Sequence, residues 1–299
     1  MSSAADLLFE ALSPEDAERL ADRFDRRLLR LERDQARALI TELRRARDAI
    51  LARIAARGEI DPGDLRRQEE LLREIDVLIG ELQVRLGEVV QRLPELATAV
   101  GDEYGGRVLG ARIIGTFSVL NRPALVTLQR YNLGLISRVT DDLRADIRRE
   151  LLQGIIQGES VQQIARRLTT GTALQRGVFA RVETRAEVIA RTETIRSFNQ
   201  GALWQFQLNG VKRVVWMTAR DDRTCPYCRP LDGQVFPIDR LPLGGPPIHP
   251  RCRCMVRPDI QTDEQVAKAR DREAVANYWR EQKRLTERPK RSGKGGKQA

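Results

Sequence analysis

The sequence predicts a mainly α-helical protein with an N-terminal helical hairpin or coiled-coil-like arm and a small α+β module near its C-terminus. Three observations carry this expectation. Two long stretches repeat apolar residues three and four apart, Gly/Pro turns punctuate them, and all four cysteines fall within thirty positions, Cys225 to Cys254. Hydrophobic residues make up 41% and charged residues 31% of the chain, which suits modest cores beneath extensive helix surface. Aromatic residues at 5% are too few to advertise a large aromatic ligand pocket.

Ser13-Pro14-Glu15-Asp16 reads as a helix start, with Ser13 at the cap and Pro14 at the first helical position. Leu28, Leu31, Leu39, Leu43, Ile50 and Ile54 then form one stripe until Gly58 and Asp61-Pro62-Gly63 interrupt it. A second stripe of Leu72, Ile75, Ile79, Leu82, Leu86, Val89 and Leu93 has the spacing of an a/d seam. Two such helices joined by a short turn predict an antiparallel hairpin, packed within a bundle or paired with another chain.

Pro94 and the stretch from Gly101 to Gly110 predict a boundary. More helix follows: a start near Pro123 after Asn121, then a run from about Ser137 to Gln157 ending at Gly158, a short helix capped by Ser160-Val161-Gln162-Gln163, and a long one over 181–208. The pattern changes at Val211, Val214, Val215 and Trp216, which read as a strand, with Val235-Phe236 as a second. Thr262-Asp263-Glu264-Gln265 opens a charged helix, and the chain ends in a basic segment without acids. The expected organisation is a helical arm over 1–100, a helical middle over 107–210 and a strand-containing module over 211–258. A charged helix over 259–287 and a disordered basic tail over 288–299 complete it.

The strongest chemical signal is Cys225-Pro226-Tyr227-Cys228 followed by His249-Pro250-Arg251-Cys252-Arg253-Cys254. A Cys-x-x-Cys turn offers two thiolates from one knuckle, and zinc requires a second pair from elsewhere in the chain to complete a tetrahedron. Five candidates, Cys225, Cys228, His249, Cys252 and Cys254, compete for four places, and spacing does not choose among the last three. Two disulfides or plain buried thiols are the alternatives. The opening residues carry Asp6, Glu10, Glu15 and Asp16, which exclude a secretory apolar segment and favour metal over disulfides. A saturated set of four ligands leaves no open position for water, so the expected zinc is structural.

The single histidine excludes nucleases that need a second one, and any triad would have to use His249 itself. No phosphate-cradling glycine motif is present, and no enzyme activity is expected. No uncharged apolar run approaches a membrane span. The net charge of +10 favours polyanionic partners, although most arginines alternate with acids along helices. Arg288, Lys290, Arg291, Lys294 and Lys297 in the tail are the candidate nucleic-acid contacts.

A larger pattern contains these motifs. It runs through Ala190-Arg191-Thr192-Glu193-Thr194 with Asn199 and Gly201, then Trp216-Met217-Thr218-Ala219-Arg220-Asp221-Asp222-Arg223-Thr224 into the first cysteine pair. Leu231-Asp232-Gly233 and Pro246-Pro247-Ile248 into the second set complete it, with Gly154, Gly158-Glu159-Ser160 and Ala165-Arg166 upstream. This ordered set, over about 140–258, resembles the Mu F-like minor head proteins of tailed bacteriophages. The resemblance implies a virion protein made in the host bacterial cytoplasm and held inside the head in few copies near the portal. It implies the portal protein as partner, with major capsid or scaffolding protein and non-specifically contacted packaged double-stranded DNA as neighbours, and neither membrane nor small-molecule substrate.

Arg191, Glu193, Asn199, Asp222 and Asp232 are the expected motif residues of structural effect. A second function class is a sequence-independent DNA-binding protein using the zinc module and tail. The weakest is an ADP-ribosyltransferase-like enzyme using Arg191 and Glu193; the competing role for these two is to orient the zinc module.

Overall fold

The computed structural model describes residues 14–59, 61–109, 121–172, 175–219, 221 and 224–259. The Ser13 cap, Asp222, the charged helix after residue 259 and the basic tail lie outside the described residues. Helix α1 (Pro14–Arg57) and helix α2 (Leu65–Val108) are joined by a turn containing Gly58 at φ 66°, a conformation that glycine adopts without a Cβ penalty. The two run antiparallel. Arg57 at the end of α1 pairs with Glu70 and Glu74 near the start of α2, Glu42 pairs with Arg85, and Arg27 pairs with Glu103.

The chain continues through α3 (Arg122–Ile156), α4 (Val161–Thr169), a minimal ribbon of β1 (Gly171–Thr172) and β2 (Gln175–Arg176), and the long helix α5 (Val178–Leu208). The capping box is real: Ser160 N–H donates to Gln163 Oε1 at 2.7 Å, and Gln163 N–H to Ser160 Oγ at 3.4 Å. A three-stranded antiparallel sheet then forms in the order β4-β3-β5, from β3 (Arg213–Met217), β4 (Val235–Pro237) and β5 (Met255–Pro258). Residues 213–217 are apolar enough to be covered on both faces, since four of the five are buried. The result is a mostly helical chain with a small open sheet at its C-terminal end, beside the Cys/His cluster.

The seams are buried inside this chain. Leu39, Leu43, Ile50 and Ile54 of α1 and Ile75, Ile79, Leu82 and Leu86 of α2 join Ile136, Leu143 and Ile147 of α3 and Phe179 and Val182 of α5 in one core. Leu31, Leu72 and Val89 are only half buried. A second core sits at the other end, where Leu20, Phe24 and Leu28 of α1, Tyr104 of α2 and Phe198 and Phe206 of α5 meet Trp216, Met255 and the cysteines. Each fully buried Leu or Phe contributes about 1.5–3 kcal/mol by leaving water. Helices α1, α2 and α5 pass through both cores, so the sheet module is built onto the helical body.

Within the stretch expected to hold a boundary, from Pro94 to Gly110, α2 runs through Pro94 and ends at Val108. The cause is the role of the glycines that follow. A Cβ on Gly101 would lie 2.1 Å from the Phe198 carbonyl oxygen, and one on Gly201 would lie 2.4 Å from the Thr98 carbonyl oxygen. These glycines let the backbones of α2 and α5 touch at a crossing, and that packing outweighs their poor intrinsic helix propensity. The Thr98 hydroxyl, moreover, donates to the carbonyl of Pro94 at 2.6 Å, one turn earlier.

Candidate metal centre

The first knuckle forms because the turn at Cys225–Cys228 folds its backbone donors back on itself. Cys228 N–H faces Cys225 O at 3.1 Å and Cys225 Sγ at 3.3 Å, and Arg229 N–H donates to Cys225 O at 3.0 Å. A short 3-10 turn, Arg229–Leu231, follows and leads to Asp232, whose Oδ1 accepts from Thr218 N–H at 2.9 Å. That bond fastens the knuckle to the end of β3. Gly233, at φ 71°, then returns the chain so that its N–H reaches Trp216 O at 2.8 Å.

The second half of the cluster comes from the loop ahead of β5. Arg251 takes φ 62°, a left-handed conformation costly for a residue with a Cβ. Its N–H donates to Thr192 Oγ1 on α5 at 3.1 Å, which holds the loop in that shape. Two residues on, Arg253 makes paired contacts of 2.6 and 2.7 Å with the Asp221 carboxylate, closing the two loops over each other. From α5, Asn199 Nδ2 donates to Cys254 O at 3.1 Å and to Ile195 O at 2.9 Å.

These supports bring all five candidates together. The ligand atoms of Cys225, Cys228 and His249 lie within 4.8 Å of one another, and so do those of Cys228, Cys252 and Cys254. His249 Nε2 is 3.0 Å from Cys225 Sγ and 3.1 Å from Cys228 Sγ, while Cys228 and Cys252 sulfurs are 3.8 Å apart. With Zn–S bonds of about 2.3 Å, the edge of a tetrahedron is about 3.8 Å, so this sulfur pair needs no rearrangement to share an ion. His249 Nδ1 lies 2.7 Å from the Pro250 carbonyl; a proton there leaves Nε2 free to face the sulfurs.

The electrostatics fit a ligand set. Hydrogen bonds from Cys228 and Cys254 hold Cys252 well below the usual thiol range, whereas bonding to Cys252 and Cys254, with burial, pushes Cys228 up. Bonding to Cys252 and the charges of Cys252 and Cys225 raise His249 to about 9 against the opposing effect of burial. A divalent cation would take the place of the protons these groups now share. None of the four cysteines forms a disulfide. The donor set of soft sulfur and imidazole suits zinc, and bound zinc would supply the cross-link between the two loops.

The other predicted residues are placed differently from one another. Asn199 and Asp232 anchor the module, as described. Arg191 Nε instead lies 3.6 Å from Glu32 on α1, and Glu193 accepts from Arg196 on its own helix at 2.9 Å. The two motif charges are thus committed to separate ion pairs, and neither bonds the cysteine loops directly. Burial pushes the Glu193 carboxyl up, partly offset by Arg196. Burial likewise lifts Glu32 to about 7, against the charge of Arg191 and with Asp25 adding to the rise. Glu32 carries no signal in the sequence, and although Thr192, Asp221 and Arg253 lie within the quoted motifs, their partners are not readable from them. Thr192 sits between two charged residues that stand out more, and Glu32 reads as one more acid on a charged helix.

A family model described as Phage Mu protein F like protein matches residues 145–257. No curated protein and no solved structure matches the chain. The matched segment begins within α3 and spans α4, α5, the sheet and every candidate metal ligand. This relates the segment distantly to the Mu F-like phage proteins. All of α1 and α2 lies outside the match. No helix among the described residues is long and apolar enough to cross a membrane.

Proposed function

We propose that the chain is a structural component of a tailed-phage head, a minor head protein whose C-terminal module is clamped by one zinc ion. The observation that supports this most is the coincidence of the family match with the Cys/His cluster. Residues 145–257 contain both knuckles, and α5 contributes Thr192 and Asn199 as braces to the loops. On this reading zinc is structural: four of the five residues Cys225, Cys228, His249, Cys252 and Cys254 supply its ligands, and no catalytic residue is assigned. The protein is made in the host cytoplasm and retained within the head. Its expected partner is the portal protein, beside capsid or scaffolding protein and packaged DNA.

Co-expression with the portal protein of the same genome, followed by size-exclusion chromatography, tests this. Co-elution that disappears on deleting one segment supports the minor-head reading and maps the interface. Separate elution of the portal ring and this chain counts against it.

A further inference from the structure

Six arginines on α1, Arg19, Arg23, Arg26, Arg30, Arg33 and Arg37, are all exposed and recur four, three, four, three and four residues apart. That spacing keeps side chains on one face of a helix, so the six form a single row about 27 Å long. The row lies opposite the face on which Leu20, Phe24, Leu28 and Leu39 enter the cores.

The four central members differ from the other arginines of this helix. Arg27 pairs with Glu103, Arg44 with Glu183, Arg45 with Glu42 and Arg57 with Glu70, whereas Arg23, Arg26, Arg30 and Arg33 form no ion pair within 4.0 Å among the described residues. Arg33 donates to the Leu29 carbonyl of its own helix and is attracted by Glu32. The end members Arg19 and Arg37 are 3.5 and 3.8 Å from Asp16 and Asp34. Asp22 and Asp34 are the exposed acids flanking the central four, and neither lies within 4.0 Å of any of them. A face that served only solubility would intermix its charges along the row, as the remainder of this helix does.

We propose that this arginine row is a binding surface for the phosphate backbone of double-stranded nucleic acid, without regard to base sequence. Guanidinium groups match phosphate oxygens in paired hydrogen bonds, and a regular row of fixed cations releases condensed counterions on binding. An anionic membrane fits less well. Helices that lie on membranes insert an apolar face, and here the apolar face of α1 is already buried in the protein cores. The inference does not depend on the head assignment, and it concerns neither the zinc module nor the basic tail.

The test is binding of the full-length chain to a short fluorescent duplex of arbitrary sequence, followed by anisotropy between about 50 and 200 mM salt. Replacing Arg23, Arg26, Arg30 and Arg33 together by Gln should weaken binding at low salt by more than about tenfold. It should also flatten the plot of log K against log salt by about 3.6, at about 0.9 for each phosphate no longer neutralised. The same four changed to Lys should keep the slope, because charge is retained. The pairs R23Q/R26Q and R30Q/R33Q should each give about half the effect, which guards against misfolding of the fourfold variant. Truncation after Glu287 should leave the difference between Arg and Gln chains intact. An unchanged slope in the Gln variants overturns the proposal, as does capture of an acidic polypeptide by the row in a chain that does not bind the duplex.

Discussion

Asn199 on α5 donates its side-chain N–H to the backbone carbonyl of Cys254, 55 residues away in sequence and at 3.1 Å in space. Both residues are buried, so this bond replaces a water contact the carbonyl cannot otherwise make. It ties the last cysteine, where β5 begins, to the helix that bridges both cores. Asn199→Ala is expected to cost about 1–3 kcal/mol, because it strands a buried acceptor. Denaturant unfolding measures the cost, and a competitive zinc chelator should extract metal faster from the variant. Wild-type stability and metal retention together would remove this bond from the account.

The contact between α2 and α5 makes a prediction whose sign is informative. Gly→Ala within an exposed helix normally stabilises by about 0.5–1 kcal/mol. Gly80, where a Cβ would meet nothing within 4 Å, should follow that rule. Gly201→Ala should do the opposite and destabilise by about 2 kcal/mol or more, since its Cβ would press on backbone atoms of α2. Thermal unfolding of the two variants side by side decides the point; equal stabilisation in both would mean the helices are not in backbone contact.

Glu32 carries a pH dependence of definite sign. Burial lifts its carboxyl to about 7 from the ordinary 4.5, so the folded protein holds a proton that the unfolded chain releases. The folded state is therefore penalised progressively as pH rises from about 4.5 through 7, and the penalty is complete above that range. Glu32→Gln should stabilise the protein by about 1–3 kcal/mol at pH 8 and change little at pH 4.5. Urea unfolding of both proteins at the two pH values, with zinc held constant, measures this. A stabilisation independent of pH would assign the effect to packing instead.

Thr192 ties the metal loop to α5. Its hydroxyl accepts the N–H of Arg251, which is held at positive φ. Thr192→Val removes the acceptor at nearly constant shape and should destabilise the module by about 1–2 kcal/mol. Arg251→Gly should be tolerated well, because glycine adopts that backbone without strain. Zinc dissociation kinetics of the two variants check the pair; faster loss from the glycine variant than from the valine variant would contradict it.

Much of this was legible from residue patterns. Heptad spacing located α1 and α2 because their stripes are continuous, and the Ser160/Gln163 box marked the start of α4. The cysteine and histidine positions announced a cluster, and the structure gathers all five. That α2 continues past Pro94 as far as Val108 was not legible, because local propensity is overruled where glycines let two helices touch, a fact that depends on α5 lying a hundred residues away. Met255–Pro258 is not readable as a strand because a short mixed segment acquires that form only by pairing with β3. Glu32 and Thr192 matter through neighbours distant in sequence, which no local spacing reveals. The row on α1 is plain in the sequence, but its meaning depends on which arginines have carboxylates beside them.

The most direct test of the central claim is native mass spectrometry of the full-length chain, purified without chelator, alongside Cys228→Ser. Cys228 belongs to both overlapping groups of potential ligands. The account predicts one zinc ion per wild-type chain with all four thiols reduced, and loss of that ion from the variant while the helical signal is largely retained. A metal-free wild-type chain whose mass is short by the hydrogens released in disulfide formation would contradict it.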